Sequence, residues 1–505
     1  MADEIDPKRG ETPGAALERP IKADPPEITS VTKHAITLTS PEHEARRLAY
    51  TATTGTILLR GAKDEARASI FYIAYTLDGA TPEERPVTFC FNGGPGSSSV
   101  WLHLGAFGPK RAAFPDPQHP PPAPYRLEDN DATLLDLTDL VFIDPVGTGF
   151  SKPEGEAKPE EFFGPTPDVE SVSEFVRAWV TRNRRWNSPK VLAGESYGGT
   201  RVAAMTPYLQ ERGMFLNGVI LVSPALDLQA LEFGPENDLP SVLYLPSYAL
   251  TALYHGALPD VPVDREAWIR EVRDFAIREY APALLLGARL PAEERERIAR
   301  TLSRYTGLST AWIERNDLRI EIGRFCKEIV RERGLIVGRL DSRFTGWDAD
   351  RGTESIGRDP SYSAPHGPYA ALMNDYVRRE LGVEQERAYE IISMKVNESW
   401  KWEVPKGKSG GYLNVVAPLR GAMLDNPHLR VFFANGYYDL ATPFFAAEHA
   451  ASHLGTEPHV RANVTEAFYE AGHMMYLHAA SRAKLKSDLA RFYAQAAPVL
   501  SERAR

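Results

Sequence analysis

A serine flanked by glycines stands at Gly194-Glu195-Ser196-Tyr197-Gly198, of the form Gly-x-Ser-x-Gly. The residues before it, 190–193, read as a short buried strand, and those after it, 200–212, read as a helix. That context makes the pattern a nucleophile elbow: small neighbours let the chain bend sharply, and the hydroxyl stands clear of the sheet. The bland reading is a glycine-rich turn, and a five-residue pattern alone recurs by chance; the strand before and the helix after separate the two.

A serine hydroxyl is a weak nucleophile and needs a base. On an elbow of this kind the acid and then the histidine follow in chain order, each in a loop after a strand. Asp439 follows the expected strand 431–434, and His473 follows the expected strand 465–469. Either alone reads equally well as a turn aspartate or a helix-capping histidine. Together, in this order and on one sheet edge, they read as a catalytic triad with Ser196. Asp439 would orient the imidazole and His473 would take the serine proton. A second loop, Asn92-Gly93-Gly94-Pro95-Gly96 with three serines after it, follows the strand Val87–Phe91. Adjacent glycines let backbone N–H groups approach a ligand, so this loop and the N–H of Tyr197 form a candidate oxyanion hole.

These side chains need a sheet edge to hold them. Residues 51–60 and 66–77, split by Gly61-Ala62-Lys63-Asp64-Glu65, read as an antiparallel hairpin. Short apolar runs at 87–91, 140–144, 190–193 and 219–222 show no polar alternation, as expected of buried parallel strands. Between two of them, Val172, Phe175, Val176 and Trp179 mark one face of a helix over 168–185. The alternation stops from about 230 to 385, where helical patterns such as 265–280 and 291–305 stand between loops and no clear buried strand appears. It resumes with 431–434, a helix over 443–454, 465–469, and a final helix carrying Leu485, Leu489, Phe492 and Tyr493 on one face. The expectation is an α/β-hydrolase fold: a mostly parallel central sheet flanked by helices, core residues 28–229 and 386–505, and a helical lid inserted at 230–385.

The chain has 505 residues and a net charge of −10, with no basic stripe, so nucleic acid is not an expected partner. No apolar run is long enough for a membrane span. Residues 1–27 are charged and proline-rich without the apolar stretch of a secretory signal, and read as a disordered tail. With two cysteines, Cys90 and Cys326, a disulfide scaffold is excluded; a reducing, cytoplasmic setting is expected, or a periplasmic or secreted one if a signal has been removed. Cys90, in an apolar run, reads as a buried inert thiol. No cofactor or metal is expected. His449 and His453 lie four apart on a helix but lack the acid of a zinc pattern and read as a solvated face. Gly407-Lys408-Ser409 lacks the first glycine of a phosphate loop, Gly147-Thr148-Gly149 lacks the third glycine of a dinucleotide loop, and both read as turns.

Four segments, 91–99, 140–151 (LVFIDPVGTGFS), 194–198 and 472–474, with 373–383 after the lid, resemble the serine carboxypeptidases. The resemblance runs from about residue 50 to the end and is weakest in the lid. It implies hydrolysis of the C-terminal bond of peptides with a free C-terminus. It further implies that Asn92, the N–H of Gly93 and Glu195 bind the substrate's terminal carboxylate, with Gly94 and Tyr197 N–H groups as the oxyanion hole. Ser97 stands where the family usually has cysteine, the second motif is one residue shorter, and the disulfides of eukaryotic members are missing. These departures suggest a bacterial-type member. Esterase and acyltransferase chemistry on the same framework are the alternative readings. Physical chemistry gives Glu195 an independent rationale. A second carboxylate beside the nucleophile makes sense if it shares a proton with the substrate's carboxylate, which raises one pKa and favours binding in acid.

Overall fold

The computed structural model describes residues 24–40, 43–258, 260–402 and 411–498. The expected tail up to residue 23 and the turn at 407–409 lie outside them. Nine strands follow one path through the central sheet: β1 Thr29–Ser40, β2 His43–Arg60, β3 Ala66–Leu77, β4 Val87–Phe91, β5 Asp139–Ile143, β6 Lys190–Glu195, β7 Gly218–Val222, β8 Arg430–Gly436 and β9 Val464–Tyr469. Their spatial order is β1-β2-β3-β5-β4-β6-β7-β8-β9, and a two-residue strand, Lys152–Pro153, pairs with β3. From β5 to β9 every pairing is parallel. The pairings β1–β2, β2–β3 and β3–β5 are antiparallel.

The strands expected from unbroken apolar runs are the buried centre: β4, β5, β6 and β7 are buried at every position. Burial on both faces is why they show no alternation. β1 was not foreseen. Polar residues outnumber its apolar Val31, Ala35, Ile36 and Leu38, and it lies at the sheet's edge with one face exposed, so its apolar signal is thin.

Helices cover both faces. Helix α1, Pro165–Arg182, buries Val172, Phe175, Val176 and Trp179, and packs with α2, Tyr197–Gln210, in one core cluster. The C-terminal helix Ala479–Ala496 places Leu485, Leu489, Phe492 and Tyr493 in the cluster on the opposite face. The middle of the chain is chiefly helical: α3 Leu239–Tyr254, α4 Arg265–Phe275, α5 Ala292–Thr306 and α6 Pro360–Arg379. It also holds a small antiparallel pair, Leu335–Val337 with Thr345–Trp347, that the sequence reading lacked. Three-residue strands are too short to show a period. Helices α3, α4 and α5 share a third core cluster with Tyr438, Leu440 and Phe444, so this block packs against the loop that carries Asp439. Among the described residues no helix is long and apolar enough to cross a membrane.

Candidate active site

Strand β6 ends at Glu195 and α2 begins at Tyr197, leaving Ser196 alone in the turn with φ 62° and ψ −126°. A non-glycine residue held at positive φ is strained, and the surrounding bonds hold it there. The Ser196 N–H donates to the Val222 carbonyl at 3.0 Å, and its own carbonyl accepts from the Gly199 N–H at 2.8 Å and the Ala225 N–H at 3.2 Å.

The glycine loop lies against this turn. A methyl group built on Gly93 would sit 2.5 Å from the Tyr197 nitrogen, closer than any side chain could pack. Absence of a Cβ is therefore what lets the loop reach the elbow. The N–H groups of Gly93 and Gly94 donate to no acceptor among the described residues. That of Tyr197, at the start of a helix, has no intrahelical partner by geometry. From below, Arg201 on α2 donates to the Asn92 carbonyl at 2.7 Å and pairs with Asp168 on α1 at 2.8 Å, all three buried.

Asp439 follows β8 and is buried. One carboxylate oxygen accepts from the N–H groups of Ala441 (2.7 Å) and Thr442 (2.9 Å). The other accepts from the Thr442 hydroxyl at 2.8 Å and lies 2.7 Å from Nδ1 of His473. A ring proton on Nδ1, shared with Asp439, leaves Nε2 free to accept another. His473 is fixed through its backbone as well: its N–H donates to the Leu340 carbonyl at 2.6 Å, and its carbonyl accepts from the Ser223 hydroxyl at 2.9 Å. Burial opposes a charged imidazole, but the charge and hydrogen bond of Asp439, with Glu195 behind, outweigh it and lift the His473 pKa above its ordinary value.

Ser196 and His473 line one cavity of about 320 Å³, together with Asn92, Gly93, Gly94 and Glu195. Among the described residues the Ser196 hydroxyl hydrogen-bonds to no protein group, so its link to His473 here is a shared wall. Such bonds often close only when substrate is bound. Glu195 is buried and accepts the Tyr476 hydroxyl at 2.9 Å. Burial drives its pKa up; the positive His473, Tyr476 and the Asn92 amide pull it back, Asp439 pushes it up, and it settles at about 7.

Sequence reasoning thus named the residues that meet in this cavity, but not their supports: Thr442, Tyr476, Arg201 and Ser223. Thr442 and Tyr476 each lie three residues after a named one, and a search for hydroxyls at that spacing would have raised them. Arg201 and Ser223 meet the site only through the fold.

Residues 48–230 match the family model of the serine carboxypeptidases. Over this segment the chain is similar to the serine carboxypeptidases. The segment holds the glycine loop, the elbow and the second motif, while Asp439 and His473 lie beyond it. Serine carboxypeptidase-like 13 of Arabidopsis thaliana is 28% identical over 177 residues, 34% of this chain and 39% of that protein. Serine carboxypeptidase-like 10 of the same plant is 28% identical over 185 residues, 35% and 39% of the two chains. The match therefore spans about two fifths of these relatives. A solved structure, the prohormone-processing carboxypeptidase Kex1(delta)p of Saccharomyces cerevisiae, superposes with a TM-score of 0.53 at 16% identity, covering 87% of this chain and 91% of that one. At that identity the likeness speaks to the fold, and it extends the α/β-hydrolase architecture beyond the matched segment to most of the chain.

Proposed function

We propose that the protein is a serine carboxypeptidase that releases the last residue of peptides bearing a free C-terminus. The observation that carries this reading is a buried carboxyl, Glu195, beside the nucleophile and in one cavity with Ser196, His473 and the open N–H groups of the glycine loop. A pKa of about 7 keeps Glu195 protonated in mild acid, so it can donate to the substrate's terminal carboxylate with the Asn92 amide and the Gly93 N–H.

The Ser196 hydroxyl oxygen attacks the carbonyl carbon of the last peptide bond while His473 Nε2 takes its proton. Asp439 stabilises the imidazolium, and the Gly94 and Tyr197 N–H groups hold the oxyanion. Collapse breaks the C–N bond, and His473 returns the proton to the leaving amino group. Water, deprotonated by His473, then frees the acyl group from Ser196. Cys90 and Cys326 are both buried and free, which suits a reducing compartment, and cell fractionation beside a cytoplasmic marker tests that location.

The test compares a blocked dipeptide with its C-terminal amide and a simple ester, across pH 5 to 9. Release from the free acid should exceed release from the amide and weaken as pH rises through about 7, the value set by the Glu195 carboxyl. Ester turnover should lack that fall, and Glu195→Gln should remove it for the acid. Ester turnover without release from the free acid would make the protein an esterase. Transfer to an added alcohol in preference to water would make it an acyltransferase. Identical profiles in parent and Glu195→Gln would remove the shared proton.

A further inference from the structure

The cavity has walls that the chemistry above does not use. Trp101, Tyr362, Ile392, Met394 and Met474 give it an apolar lining, and Arg339, with Asp359 beside it, faces the same space. Arg339 sits between the loops of the acid and the base. Its carbonyl accepts the Leu440 N–H at 3.0 Å, next to Asp439, and the carbonyl of the following residue, Leu340, accepts the His473 N–H. Its backbone N–H donates to Asp359 at 3.2 Å, so its main chain is tied on both sides.

The side chain is not tied in the same way. Its nearest carboxylate oxygen, on Asp359, lies 3.9 Å from Nε, and the guanidinium makes no hydrogen bond among the described residues. Asp359 is committed elsewhere: it caps α6 through the Ser361 N–H at 2.9 Å and also accepts the Ser361 hydroxyl and the Leu340 N–H. The Arg339 side chain is 49% exposed at the mouth of the cavity. A guanidinium held, among the described residues, only by this one long ion pair, beside an apolar lining, matches a short aliphatic stem ending in a carboxylate.

We propose that Arg339 is a specificity-determining residue that selects peptides with an acidic side chain at one of the two positions flanking the scissile bond. This rests on the carboxypeptidase reading, since the terminal carboxylate is there assigned to Glu195, Asn92 and Gly93, which leaves Arg339 free for a side chain. The gain is one charge-assisted hydrogen bond, roughly tenfold in kcat/KM for a glutamate over its uncharged isostere glutamine.

Blocked dipeptides carrying Glu or Gln at the released position, and at the position before it, give the test, with an Ala-Ala dipeptide as reference. The parent should favour Glu over Gln about tenfold at one position. Arg339→Gln should erase that preference while leaving Ala-Ala turnover near the parent's, and Arg339→Lys should keep part of it. The same peptides titrated calorimetrically into Ser196→Ala read the preference as binding, without turnover. Loss of hydrolysis would thus strike the carboxypeptidase reading while the acid preference stays measurable. No Glu-over-Gln preference at either position, or one that survives Arg339→Gln, would overturn the proposal. So would an equal loss on every free-acid peptide, which would make Arg339 the anchor of the terminal carboxylate instead.

Discussion

At the scale of single residues, the site is a set of groups whose burial sets their charge. Asp439 accepts four hydrogen bonds in a buried pocket, and three come from its own loop: two N–H groups and the Thr442 hydroxyl. Its fourth bond, to His473, fixes one tautomer. Asp439→Asn keeps the shape but can present an N–H to Nδ1, which moves the ring proton to Nε2 and removes the base. The expected result is a kcat lower by roughly 10³–10⁴-fold with KM near the parent's, measured on a blocked dipeptide or ester. Ser196→Ala should lose at least as much, and the double variant little more than the worse single one, because the residues act as a unit. Independent, multiplying losses would mean that they do not share a step.

At the scale of elements, the decisive contact is between the glycine loop after β4 and the elbow between β6 and α2. The strands are parallel neighbours, so both loops leave the sheet at its carboxyl edge, and Gly93 then meets the Tyr197 nitrogen without a side chain between them. Gly93→Ala would push the loop away by several tenths of an ångström or more. Its expected effect is a kcat reduced roughly 10²-fold or more, as for losing an oxyanion donor, with a lower unfolding midpoint as well, because the added methyl meets buried backbone. Activity at the parent's level would place the oxyanion donors elsewhere. The buried Arg201–Asp168 pair supports the same loop from α1 and α2 through the Asn92 carbonyl. The elbow was legible because strand, serine and helix are consecutive in the chain. The ion pair was not, since Asp168 and Arg201 meet only once two helices pack on one face.

At the scale of the molecule, burying carboxyls ties stability to pH. Glu195 and Glu448 are each raised from 4.5 to about 7, and Asp144 from 3.8 to about 7, in every case chiefly by burial. A raised carboxyl binds its proton more tightly folded than unfolded. The stability it contributes is fully present below the unfolded value, near 4 to 4.5, and is lost as pH rises through about 7. For Glu195 the change across that window is about 3 kcal/mol, from about 1.4 kcal/mol per pKa unit. The unfolding midpoint should therefore fall between pH 5 and 8, and Glu195→Gln or Glu448→Gln should flatten the fall. A midpoint that climbs through this range in the parent would show that these groups ionise freely. The helical middle block takes part too: Arg273 of α4 pairs with Glu448, in the helix after β8, at 3.2 Å.

The sequence by itself determined the order of strands and helices that hold the elbow, the glycine loop and the two later loops. It did so because a strand buried on both faces must be apolar throughout, and a tight turn at a strand end needs its small residues consecutively. Pattern and neighbourhood are properties of the chain. It also proposed side chains for attack, base and orientation, since those chemistries admit few residue types. Only the tertiary structure decided which hydroxyls, carbonyls and charges stand around them. Thr442 bridging Asp439 and His473, Tyr476 on Glu195, Arg201 under Asn92 and Arg339 at the cavity mouth owe their places to packing between segments up to hundreds of residues apart. The local pKa values follow from that packing, because burial and the distance between charges have no image in the linear order of residues.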